Sequence, residues 1–146
     1  MQSNRRPFFL LSLVFLLASC ASPGTGSGRV ISPQGLPIRV VWSEQERAKD
    51  ITLKTLRTTA EASFHLIHLK GTEKPHVHEL HDVAVFILSG EAEVSVSGRA
   101  VKMKTGDVVE IPRGVVHWAR NLDPEATVVY AVFTPPYDGK DWRGVE

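Results

Sequence analysis

Gly106-Asp107-Val108-Val109-Glu110-Ile111-Pro112-Arg113-Gly114-Val115-Val116-His117-Trp118-Ala119-Arg120-Asn121 reads as a strand, a Pro-x-Gly turn and a second strand with a histidine. Proline fixes φ and glycine relieves a tight bend, so the chain leaves this turn in a set direction. Upstream, Pro75-His76-Val77-His78-Glu79-Leu80-His81-Asp82 holds three of the chain's six histidines. In extended chain, side chains two apart share a face, so His76 and His78 can converge on one ion. A third ligand has to come from another strand, and His117 stands where the turn launches one.

Around these segments the chain is a series of short apolar runs broken by turns. Candidate strands cover 38–42, 51–54, 63–69, 83–88, 92–96, 100–103, 108–111, 115–118 and 127–133. Gly71, Ser89-Gly90, Ser97-Gly98, Thr105-Gly106 and Asp123-Pro124 separate them. Residues 44–50 are a charged connection able to hold a helical turn, and Leu56 breaks the alternation begun at Ile51. No segment carries a sustained helical period. Many short strands at close spacing predict an all-β sandwich or barrel. The Pro135–Asp141 stretch reads as a turn-rich exit wrapped over the outside.

Both segments resemble the paired motifs of the cupin superfamily. Gly106 to Asn121 fits the second motif, G-x5-P-x-G-x2-H-x3-N, at every defined position. Gly71, His76, His78 and Gly90 fit the first, with one residue fewer between Gly71 and His76. The resemblance spans residues 64–133 and implies a small double-stranded β-helix (jelly-roll) barrel. It also implies a divalent transition metal (Fe, Mn, Ni, Cu or Zn) held by His76, His78 and His117.

The family's ligand glutamate is missing. Counting back from Gly90 puts it at Val83, which cannot bind metal. Counting forward from His78 allows Asp82, given a local bulge, and His81 is the other candidate fourth ligand. Three neutral ligands leave an ion its full charge and open positions, which suits Lewis-acid or oxygen chemistry. His65 and His68 face opposite sides of one strand, so at most one points into the barrel; neither is assigned to the site, although one is a candidate support for a ligand. Trp118 and Asn121 are expected on the barrel wall and in a turn. Val83, Val85 and Ile87 are expected to line an apolar cavity fitted to a small organic molecule.

The first residues are read apart from the domain. Arg5 and Arg6 precede an apolar run over 8–18. Eleven helical residues at about 1.5 Å rise fall well short of a hydrocarbon core about 30 Å thick. Leu17-Ala18-Ser19-Cys20 resembles the lipobox of bacterial lipoproteins. The expectation is a cleaved signal peptide over 1–19, a lipid on Cys20, a Gly/Ser/Pro-rich flexible tether to residue 37, and the cupin domain over 38–146. Cys20 is the only cysteine, so the domain has neither disulfide nor thiolate ligand. Without residues 1–19 the chain has fifteen basic and sixteen acidic residues, and no basic run that would suggest nucleic acid.

The implied location is the cell envelope, at the outer membrane facing the periplasm in a Gram-negative cell. A homodimer is a family expectation. Two functional readings stand. One is a metal-dependent dioxygenase-like oxidoreductase acting on a small organic molecule. The other is a non-catalytic module that binds or senses a small ligand or metal.

Overall fold

The computed structural model describes residues 27–145. The expected signal peptide and Cys20 lie outside the described residues.

A four-residue helix, α1 (Glu44–Arg47), is followed by ten strands: β1 (Ile51–Thr58), β2 (Ser63–Leu69), β3 (His76–Val77), β4 (Asp82–Ser89), β5 (Glu91–Val96), β6 (Arg99–Lys104), β7 (Val108–Ile111), β8 (His117–Asn121), β9 (Thr127–Thr134) and β10 (Arg143–Gly144). They form two five-stranded antiparallel sheets, ordered β1-β2-β9-β4-β7 and β10-β3-β8-β5-β6. This is the expected all-β jelly roll. Its core lies between the sheets. Leu69, Ile87, Ala92, Val94, Met103 and Val129 form one buried cluster, and Val83, Ile111, Ala131 and Phe133 form a second. Burying each large side chain of this kind contributes about 1.5–3 kcal/mol.

Local chemistry explains the irregularities. Thr55 pairs with His65 while Arg57 pairs with Phe64, so Leu56 is the extra residue of a bulge, which accounts for the broken alternation. α1 begins with a capping box, in which Ser43 Oγ accepts from Glu46 N and Glu46 returns a carboxylate to Ser43 N at 2.7 Å.

Three expectations are corrected. Residues 38–42 form no strand. Trp42 instead tilts on the His68 ring at 5.4 Å, and Lys54 Nζ donates to Val41 O at 2.8 Å. Val40 and Trp42 share a hollow with Leu66, Leu88 and Val128, so this segment crosses the outer face of one sheet, where no ladder partner exists. Within the expected tether, Ile31 bridges Pro37 and Ile38 N donates to Val30 O at 2.8 Å, so residues 31–37 form a closed turn. The Pro135–Asp141 stretch does not merely wrap the outside, because Asp141 receives the His78 and His81 rings, and just beyond it β10 pairs with β3 as an edge strand beside His76.

Candidate metal centre

Cross-strand pairing builds the site. His76 on β3 and His117 on β8 are direct register partners, with ring centroids 4.2 Å apart. His78 follows two residues after His76, and its ring lies 5.4 Å from that of His117. The Pro112-Arg113-Gly114 turn ties the two motifs together. Gly114 N donates to His78 O at 2.7 Å, and Arg113 N donates to Asp82 Oδ1 at 2.9 Å. Gly114 has φ +76, a conformation that favours glycine.

One ring nitrogen from each of His76, His78 and His117 lies within 4.8 Å of the others. Each Nδ1 is committed to a backbone carbonyl: His76 to Lys74 O at 2.9 Å, His117 to Val115 O at 2.9 Å, and His78 to Asp141 O. Since only a protonated Nδ1 can donate there, each Nε2 keeps its lone pair and is available to a metal. Burial lowers the proton affinity of all three, to a pKa of about 4 for His76. The imidazoles are therefore neutral at pH 7, as ligation requires. The donor set fits a divalent transition metal.

The candidates for a fourth ligand are both elsewhere. Asp82 is half-exposed and gripped by Arg113, with Oδ2 2.6 Å from Nη2. The Arg113 guanidinium and amide hold its carboxyl down at a pKa of about 2. His81 is buried, but Nδ1 meets Asp141 Oδ2 at 2.6 Å and Nε2 meets Pro136 O at 3.2 Å. Both of its nitrogens are occupied. Asp82 and His81 are therefore withdrawn as ligands.

His65 and His68 also lie apart. His65 has Thr55 Oγ1 at 3.1 Å on one nitrogen and Ser63 Oγ at 2.7 Å on the other. His68 is buried with Nδ1 unpartnered beneath Trp42. Neither lines the cavity.

That cavity measures about 70 Å³. Val83, Val85 and Ile87 are among its walls, as expected, Trp118 lines it as well, and the three histidines lie at its polar side. The space suits an ion, a few waters and a molecule of few atoms.

Several residues were not anticipated. Asp141 supplies the carbonyl behind His78, and its carboxylate accepts from His81 and from the amides of Glu79 and Leu80 at 3.1 and 2.8 Å. Trp142 stacks on His76 with ring centroids 5.3 Å apart. Tyr137 stacks on Phe133 at 4.7 Å and meets His78 edge-on at 5.2 Å. Glu73 lines the cavity, and burial pushes its carboxyl up to a pKa of about 7 against the opposing effect of the Ala119 amide.

Comparison with known proteins agrees with this architecture. Residues 64–133 match the family described as Cupin domain. An uncharacterized protein of Aquifex aeolicus is 37% identical over 107 residues, covering 73% of this chain and 88% of that protein. L-ectoine synthase of Vibrio campbellii is 30% identical over 81 residues, 54% of this chain and 63% of that enzyme. The structure of KdgF from Halomonas sp. superposes with a TM-score of 0.58 at 27% identity, covering 61% of this chain and 82% of that one. The chain belongs to the cupin superfamily.

Proposed function

We propose that this protein is a metal-dependent cupin of the cell envelope. It would hold one divalent transition ion through His76, His78 and His117 and act on a small organic molecule as a dioxygenase-like oxidoreductase. The observation that carries the metal reading is the commitment of all three Nδ1 atoms to carbonyls, which leaves three neutral Nε2 atoms free on rings that each bring a nitrogen within 4.8 Å of the others. A bound ion would supply Lewis acidity and open coordination positions. The chain's own part is to orient the imidazoles, to exclude water with Val83, Val85, Ile87 and Phe133, and to limit substrate size. Membrane attachment would come from a lipid on Cys20, which matches the lipobox pattern.

The test has three arms. Elemental analysis of the purified protein should find about one transition ion per chain, lost in His117→Ala. Absence of metal from the wild type when grown in iron, manganese, nickel, copper and zinc rejects the metal reading. Oxygen uptake with a panel of small organic acids and alcohols separates an oxygenase from a module that binds without turnover. Palmitate labelling that survives in Cys20→Ser rejects the anchor.

A further inference from the structure

With Asp82 and His81 turned elsewhere and Val83 apolar, the centre lacks the carboxylate that the first motif would lead one to expect. Among the residues lining the cavity there is one acid, Glu73, and no lysine or arginine. It precedes His76 by three residues, outside the stretch where a ligand carboxylate was sought. Its backbone is fixed to the strand that carries His117. Glu73 N donates to Ala119 O at 2.8 Å, Thr72 bridges Arg120, and Asn121 N donates to Gly71 O at 2.9 Å.

The side chain keeps 19% of its exposure, and Oε1 lies 3.8 Å from His76 Nε2. That nitrogen is the one left free by the Lys74 carbonyl. Two donors each about 2.1 Å from one ion are roughly 3 Å apart when adjacent and roughly 4.2 Å apart when opposite. The Glu73–His76 separation falls inside that range. The three histidines form the group whose donor atoms lie within 4.8 Å of one another, and Glu73 stands outside it beside His76. A largely buried carboxylate facing apolar walls and neutral imidazoles is costly without a cation. A divalent ion at the histidines supplies that cation, and the carboxylate in turn halves the ion's uncompensated charge.

We propose that Glu73 is the fourth protein ligand of the centre, delivered from the strap ahead of His76 instead of from the strand after His78. The proposal rests on the three-histidine metal reading above. It makes the site three imidazoles and one carboxylate, with the carboxylate first in chain order.

The test uses Co(II) as probe with the purified protein. Isothermal titration and the visible ligand-field spectrum are compared for wild type, Glu73→Gln, Glu79→Gln and His117→Ala. Glu79 is exposed and paired with Arg143, so it controls for loss of a nearby charge. Glu73→Gln should weaken Co(II) binding by about tenfold or more and shift the spectrum, while Glu79→Gln does neither. Unchanged affinity and spectrum in Glu73→Gln, with binding abolished in His117→Ala, overturns the Glu73 assignment alone. Unchanged binding in His117→Ala overturns the metal reading itself. As a readout independent of variants, infrared difference spectra of wild type with glutamate labelled in its carboxyl carbon should show a carboxylate band that moves on Co(II) addition. A band that stays in place overturns the assignment.

Discussion

The carboxylate of Asp141 lies 2.6 Å from Nδ1 of His81, across 60 residues of chain. The same residue's carbonyl receives Nδ1 of His78, so one position in the C-terminal stretch organises the whole His78–His81 turn. Asp141 never approaches the free nitrogens; it acts by fixing the backbone and ring that present them. Asp141→Ala should therefore lower Co(II) affinity by about 10–100-fold while leaving the β-sheet circular dichroism intact. Titration of wild type and variant side by side checks this. Equal affinities would show that the turn holds its shape without the carboxylate.

The two motifs made the barrel and three histidines legible, because their spacing is local and strand parity states which residues share a face. Asp141 and Trp142 were not legible, since no local pattern records that a turn-rich tail returns to β3. Glu73 was missed for a different reason: it fills an undefined position of the first motif, between Gly71 and His76, and only the pairing of this strap with Ala119, Arg120 and Asn121 brings it against β8. Residues 38–42 alternate as a strand does, yet one apolar side meeting a sheet face produces the same alternation without a ladder.

Asp82 offers a direct test of which carboxylates matter. Its side chain is engaged by Arg113 at the protein surface, away from the histidine cluster. Asp82→Asn, which keeps an oxygen for the Arg113 amide, should keep metal content and Co(II) affinity within about twofold of wild type, as expected for a residue that does not bind the ion. A loss of metal comparable to that of His117→Ala would mean that Asp82 swings inward when the ion binds.

Acid should destabilise the metal-free protein well above the range where its surface carboxylates titrate. Burial lowers the proton affinity of His65, His68, His76, His78 and His117 below the ordinary 6.5. As pH falls below 6.5 the unfolded chain takes up protons that the folded chain refuses, so stability falls. For His76 this window extends to about pH 4. Glu73 works in the opposite sense between 4.5 and about 7, because its folded form binds the proton more readily. Five histidines outweigh one glutamate. The melting temperature of the metal-free protein should drop between pH 7 and pH 5, and Glu73→Gln should steepen the drop. A flat profile over that range would contradict the burial of these rings.

Phe133 joins the core to the site. Its ring packs with Val83, Ile111 and Ala131 and meets His65, His78 and His81 edge-on at 5.2, 5.3 and 6.2 Å. Replacing a buried phenylalanine by alanine costs about 3–5 kcal/mol. Each kcal/mol shifts the melting temperature of a domain of about 100 residues by roughly 4–8 °C. Phe133→Ala should thus lower the melting temperature by about 12 °C or more. The loss has two sources, the cavity left in the core and the freedom gained by the His78 ring. A metal that binds only the folded chain recovers about 2.7 kcal/mol at a hundredfold excess over its Kd. Melting Phe133→Ala with and without Co(II) separates the two. If His78 is loosened, the rise on adding Co(II) at a fixed concentration will be smaller in the variant than in wild type. An equal rise would confine the role of Phe133 to the core.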